Sequence, residues 1–118
     1  SNANGGWLKT GIMVKPGQTL VISATGEVTL ASLSGNKYKP DGSTKNANAD
    51  AYVDSYGASN YPSYGNVVFK IGETGVATKA GASYNAKVTQ SGMLYLSIHE
   101  TVYNASNAGF YSVNVNIK

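Results

Sequence analysis

The sequence contains neither cysteine nor arginine, and it carries little charge of either sign. Without cysteine the chain has no disulfide framework, no thiolate metal ligand and no thiol nucleophile. All nine basic residues are lysine, so the bidentate guanidinium contacts that recognise phosphate and guanine are missing. The lysines are also scattered along the chain, which argues against nucleic acid as a partner despite a net charge of +3.

Long hydrophobic runs and paired titratable groups are equally scarce. No apolar run approaches the roughly 18–20 residues that cross a bilayer. The single histidine, His99, precedes Glu100. If the strand continues through both, their side chains point to opposite faces, so the two could act on one substrate atom only if the chain bends at the strand end. No nucleophile elbow, phosphate loop or histidine-rich metal motif occurs. The sequence therefore predicts a protein that neither spans a membrane nor acts as an enzyme.

What remains is a short chain rich in glycine, tyrosine, serine, threonine and asparagine. Its 118 residues correspond to one domain, since single domains usually contain roughly 100–150 residues. Residues 1–3 read as the remnant of an expression tag, which leaves 4–118 as the predicted domain. This composition favours strands and turns over helices.

Alternating apolar residues predict about eight short strands. The clearest alternation covers 111–117, and the strand beginning at Thr19 is expected to end at Gly26, with another following at 28–30. The run Met93–Ile98 is apolar on both faces, which predicts a central strand. With no helical periodicity and no internal repeat, the pattern predicts an all-β, antiparallel β-sandwich of jelly-roll type.

Residues 32–65 form a long polar segment with five tyrosines and no apolar periodicity. Its length exceeds the roughly 12–15 residues that structureless loops usually reach, which indicates a loop that is either functional or mobile. Tyrosine offers an apolar ring and a hydroxyl, a combination suited to sugars. Alternatively, at least two of these rings fold back over the sandwich. Trp7, at the start of an early strand, is expected to close the core.

A second polar segment, 100–109, lies between two predicted strands and is rich in oxygen donors. One carboxylate, two amides, hydroxyls and backbone carbonyls are hard ligands, of which calcium takes six to eight. The same groups would hydrogen-bond sugar hydroxyls. The alternative is a hydrophilic turn stabilised by the side chains of Asn104 and Asn107.

Several short motifs occur in a characteristic order along the chain. They are Gly6-Trp7, Pro16–Leu20, Ile22–Gly26, Lys37–Gly42, Gly65–Gly72, Gly92–Leu96 and Asn107–Val115. In order and spacing they resemble the PA-I galactophilic lectins (PA-IL, LecA), which bind galactose through calcium, and the resemblance covers nearly the whole chain except 43–64. It implies a galactose-binding-domain-like sandwich from a bacterial, secreted or extracellular protein.

The resemblance also implies a site at one end of the sandwich. Calcium would be held by Leu30, Glu100, Asn104, Ser106 and Asn107. The sugar would contact Glu100, Thr101, Asn104 and Asn107, to which the tyrosine-rich segment adds Tyr38. Glycans or glycoconjugates would then be the partners, and homo-oligomers, which occur among related lectins, remain open.

This sequence departs from the family's pattern at three places. Glu100 replaces an aspartate and Ser106 replaces an amide, so one carboxylate remains at the metal site and calcium binding is expected to be weak. No histidine or glutamine follows Gly42, so galactose specificity does not carry over. The predicted function is non-catalytic carbohydrate binding. The alternative is a structural or protein-interaction domain that has lost the metal and sugar site.

Overall fold

The computed structural model describes residues 7–30, 36–46, 51–52, 65–99 and 108–118. These residues contain nine strands and no helix. The strands are β1 Leu8–Val14, β2 Thr19–Leu30, β3 Asn36–Tyr38, β4 Thr44–Lys45, β5 Val67–Ile71, β6 Thr78–Lys79, β7 Ser83–Lys87, β8 Gly92–Ile98 and β9 Ala108–Ile117. Within the described ranges, nothing forms an apolar helix long enough to span a membrane.

The strands form two antiparallel sheets. One has the order β1-β8-β5-β6, and the other the order β4-β3-β2-β7, with β9 paired to β2. Since β9 covers one edge of β2 from Leu20 to Thr29, the opposite edge is shared, with β7 along Thr19–Ser23 and β3 along Val28–Leu30. The all-β antiparallel sandwich is confirmed, and β8 lies centrally between β1 and β5 as its apolar character predicted.

The core lies between the sheets and follows the predicted alternation. Leu20 and Ile22 on β2 and Leu94 on β8 are fully buried, and each contributes about 1.5–3 kcal/mol relative to an exposed side chain. On β9 the inward residues, which begin at Tyr111 and end at Ile117, are half-buried, and the residues between them are exposed. The long β9 therefore covers the rim of the core rather than its centre.

Gly26 does not end a strand, contrary to the sequence-based expectation. Strand β2 continues through it for twelve residues, so one strand replaces two. Gly26 has a φ of +108°, and a Cβ at this position would lie 2.7 Å from the carbonyl oxygen of Phe110 on β9. Glycine is thus used here for a close approach of two paired strands rather than for a turn. The number of strands still exceeds the predicted eight, because β3, β4 and β6, of two or three residues each, are too short to show an apolar alternation in the sequence.

Trp7 is also placed differently from the prediction. It directly precedes Leu8, which pairs with the buried Leu96, so Trp7 lies on the outer face of the sheet. There its ring is half-buried, and the Lys70 ammonium lies 4.8 Å from the ring centroid. Trp7 therefore belongs to the outer surface and not to the core.

Gly26→Ala is expected to destabilise the fold more than Gly17→Ala. Both glycines have positive φ, of +108° and +92°, so both variants strain the backbone, but a Cβ at Gly17 has nothing within 4 Å. The additional clash with β9 should lower the free energy of unfolding by roughly 1–3 kcal/mol beyond the control. Urea denaturation of the two variants measures the difference, and equal losses would show that β2 and β9 do not approach closely at Gly26.

Candidate functional site

One end of the sandwich, called the loop end below, is where β2 and β8 end and β5 and β9 begin. Ile98 on β8 packs against a small cluster that contains Leu30 on β2, so both sheets contribute to this end. Thr29 pairs with Ala108 at the start of β9. Leu30 and Asn36, which flank segment 31–35, therefore lie at the loop end, as do His99 and Ala108, which flank segment 100–107.

A tight turn at Lys39–Ser43 joins β3 to β4 beside this end. The Gly42 amide donates to the Lys39 carbonyl at 2.8 Å, and the Lys39 amide donates to the Ser43 carbonyl at 2.9 Å. Asp41 Oδ1 accepts hydrogen bonds from the Ser43 amide at 2.9 Å and the Ser43 hydroxyl at 2.5 Å. Burial alone would raise the pKa of Asp41, but the Ser43 hydrogen bonds outweigh it and hold the pKa below its usual value. One carboxylate oxygen is thus committed to the turn.

A fully buried asparagine links this turn to the other sheet. Asn66, with no exposed surface, donates from Nδ2 to the Pro40 carbonyl at 3.0 Å, and the Val67 amide donates to the same carbonyl at 3.2 Å. The Gly65 amide donates to the His99 carbonyl at 2.8 Å, and the His99 amide donates to the Asn66 carbonyl at 2.9 Å. These bonds anchor His99, the residue that directly precedes segment 100–107. Sequence reasoning did not single out Asn66, because an asparagine before an apolar strand also fits an exposed turn.

Tyr38, expected to contact a sugar, lies in the core of the loop end. It is 7% exposed and belongs to the cluster of Val28 and Leu30, and a Cβ on Gly65 would overlap its side chain. The ring therefore fills the interior and does not face a ligand. Tyr111 packs on the same cluster, and its hydroxyl donates to the Gly65 carbonyl at 2.7 Å. Burial raises the pKa of Tyr111 well above its usual value.

A second tyrosine of the long polar segment lies outside the core. Tyr52 is half-buried, and its hydroxyl donates to the Glu27 carboxylate on the outer face of β2. The ammonium groups of Lys39 and Lys45 lie 4.4 Å and 5.0 Å from its ring centroid. Burial and the Glu27 hydrogen bond raise the pKa of Tyr52 to about 12. The expectation that two of these rings fold back onto the sandwich is met in different ways by Tyr38 and Tyr52, while the other three lie outside the described residues.

Apart from Tyr38, the predicted metal and sugar contacts are Leu30, which is described, and residues of segment 100–107, which are not. Leu30 is the last residue of β2, and its side chain is buried, which leaves its backbone for any ligand role. Glu100, Thr101, Asn104, Ser106 and Asn107 all lie in segment 100–107, outside the described residues. Among the described residues no group of three histidine, cysteine, aspartate or glutamate side chains could hold a metal ion. Burial lowers the pKa of His99, which favours its neutral form.

Comparison with known proteins adds the fold relationship. No family model matches the sequence, and no curated protein matches it. Among solved structures, the chain is similar to the N-terminal domain of EclA, a PllA-like lectin, with a TM-score of 0.70 and 20% identity. The match covers 99% of this chain and 91% of that one. The chain has the fold of a PllA-like lectin. The resemblance to LecA-like lectins suggested by the sequence motifs is thereby confirmed.

Asn66→Ala is expected to destabilise this lectin fold far more than Asn85→Ala. The first variant removes a donor to the buried Pro40 carbonyl and should lower the free energy of unfolding by roughly 1–3 kcal/mol. The second makes the same change at an exposed position on β7 and should have little effect. Chemical denaturation of both variants compares them, and an unchanged Asn66→Ala protein would contradict a supporting role for this side chain.

Proposed function

We propose that this chain is a non-catalytic carbohydrate-binding domain with its site at the loop end. The observation that carries the proposal is the pairing of Thr29 with Ala108, within a lectin fold, beside the end of β2 at Leu30. This register supports a common site for the Leu30 backbone and segment 100–107. That segment holds the carboxylate, amides and hydroxyls that the sequence motifs single out.

Calcium is the metal that such a donor set would take. The Leu30 carbonyl, the Glu100 carboxylate and the side-chain or backbone oxygens of Asn104, Ser106 and Asn107 are all hard ligands, which calcium prefers over nitrogen or sulfur. When bound, the ion would supply a positive centre that sugar hydroxyls can coordinate. With one carboxylate in the set, we propose weak binding that requires millimolar calcium.

The sugar contacts would come from the same segment. The hydroxyl of Thr101 and the amides of Asn104 and Asn107 would donate and accept hydrogen bonds with vicinal sugar hydroxyls. We do not propose a preference for galactose, because residues 43–46 contain neither histidine nor glutamine. Tyr38 is not part of the proposed site, since its ring is buried.

Calcium is expected to raise the melting temperature of the wild-type protein, and EDTA to reverse the rise. A ligand that binds only the native state must stabilise it, by about 1.4 kcal/mol at a concentration tenfold above its Kd. Glu100→Ala should abolish the shift, whereas Glu73→Ala, which removes a carboxylate from the exposed turn after β5, should leave it unchanged. An identical melting temperature in calcium and EDTA would rule out the calcium-dependent form of the proposal.

A glycan array screened with and without calcium should identify neutral glycans as ligands. Asn107→Ala is expected to weaken the best binder by about tenfold, the effect of losing one or two hydrogen bonds at the sugar. Asn114→Ala, at an exposed position of β9, is the matched control and should bind normally. If glycan binding survives both Asn107→Ala and Glu100→Ala, the site does not lie at the loop end. If no glycan binds, the chain acts as a structural or interaction domain.

A further inference from the structure

The two sheets differ in what they present on their outer faces. On the five-stranded sheet, the outward residues of β9 are Ser112, Asn114 and Asn116, all exposed and neutral. On the four-stranded sheet, the outward residues of the central strand β8 include Met93 and Tyr95, since Leu94 and Leu96 face the core. A solvated sheet face is usually polar. The outward Met93 and Tyr95 therefore make this face less polar than the outer face of the five-stranded sheet.

Aromatic rings and lysines alternate across this outer face. Lys9 on β1 and Lys70 on β5 are the register partners of Tyr95, one on each side. The Lys70 ammonium lies 4.8 Å from the Trp7 ring centroid and 5.3 Å from that of Tyr95. It also donates to the Glu73 carbonyl at 2.7 Å, which holds it between the two rings. These four residues, Trp7, Lys9, Lys70 and Tyr95, are called the aromatic-lysine face.

The accessible surface of the face extends towards Met13 and not towards Val68. Val68 on β5 also points outward, between Val67 and Phe69, but it is only 2% exposed and adds no accessible surface. Met13, 58% exposed, lies outward beside Met93. No aspartate or glutamate occupies an outward position on the four described strands of this sheet. Lys9 and Lys70 thus share the face without a carboxylate from the same strands.

We propose that the aromatic-lysine face is a second carbohydrate site that binds acidic glycans, such as chains of uronic acid. The C–H face of a sugar ring would stack on Trp7 or Tyr95, and its carboxylate would pair with Lys9 or Lys70. The positive charge favours an acidic glycan over a second copy of this chain, because a symmetric dimer through the face would place lysines opposite lysines. The site lies outside segment 100–107 and involves no calcium.

The test uses oligogalacturonate and its methyl ester, which share the sugar ring but differ in charge. Binding is measured by calorimetry and by the fluorescence of Trp7, the only tryptophan in the chain, in EDTA at low ionic strength. The acid should bind and perturb the fluorescence, and the ester should bind at least about tenfold more weakly, as expected for loss of a charge-assisted hydrogen bond. Added salt should weaken binding of the acid.

Lysine variants locate the site. Lys9→Gln and Lys70→Gln should each weaken binding of the acid by about tenfold. Lys87→Gln removes the same charge from an exposed position on the five-stranded sheet and should change binding by less than about twofold. Lys9 is exposed, so its variant tests the face without disturbing packing, and thermal melting confirms that each variant is folded.

The inference would be overturned by no binding of the acid, by equal binding of the ester, by an equal loss in Lys87→Gln, or by equally tight binding of a DNA duplex. An equal loss in Lys87→Gln or equally tight binding of DNA would show that binding reflects non-specific charge attraction. Glu100→Ala separates this site from the loop end and should bind the acid normally. Loss of binding in that variant would assign the uronate to the loop end, which contradicts the second site but leaves the proposed function intact.

Discussion

Strand β2 is the element on which the other strands of its sheet depend. It runs for twelve residues, pairs with β9 along one edge from Leu20 to Thr29, and gives its other edge to β7 and β3 in turn. Because both edges are occupied, the register of β9 is set by β2, and Ala108 must lie beside Thr29. The position of the proposed binding segment 100–107 therefore follows from this one pairing. Gly26 permits it, since any side chain there would strike the backbone of β9.

The loop end is held by buried hydrogen bonds as well as by apolar contacts. Asn66 has no exposed surface and binds the Pro40 carbonyl, while the Tyr111 hydroxyl reaches the Gly65 carbonyl. Each bond joins segments that are distant in sequence. Buried polar groups of this kind are costly when unpaired, so they favour a single arrangement of the turns around the end.

The low charge of the chain is unevenly distributed over its surface. Glu27 pairs with Lys37 at 3.8 Å on the outer face of the five-stranded sheet, where both side chains are partly exposed. The outer face of the four-stranded sheet instead carries lysines around aromatic rings and no carboxylate on its strands. The two proposed binding surfaces therefore differ chemically, with oxygen donors in segment 100–107 and ammonium groups with aromatic rings on this sheet.

The sequence by itself determined most of the longer strands, the core face of β9 and the central place of β8, because alternation with period two is written in neighbouring residues. Its motifs also indicated the lectin fold. Only the tertiary structure decided that β2 passes through Gly26, that Tyr38 fills the core, that Trp7 lies outside and that Asn66 is buried. Each of these depends on a residue far away in sequence, such as Phe110 opposite Gly26 or Lys70 beside Trp7. Local patterns carry no information about such partners, since they meet only when strands distant in sequence come together in a sheet.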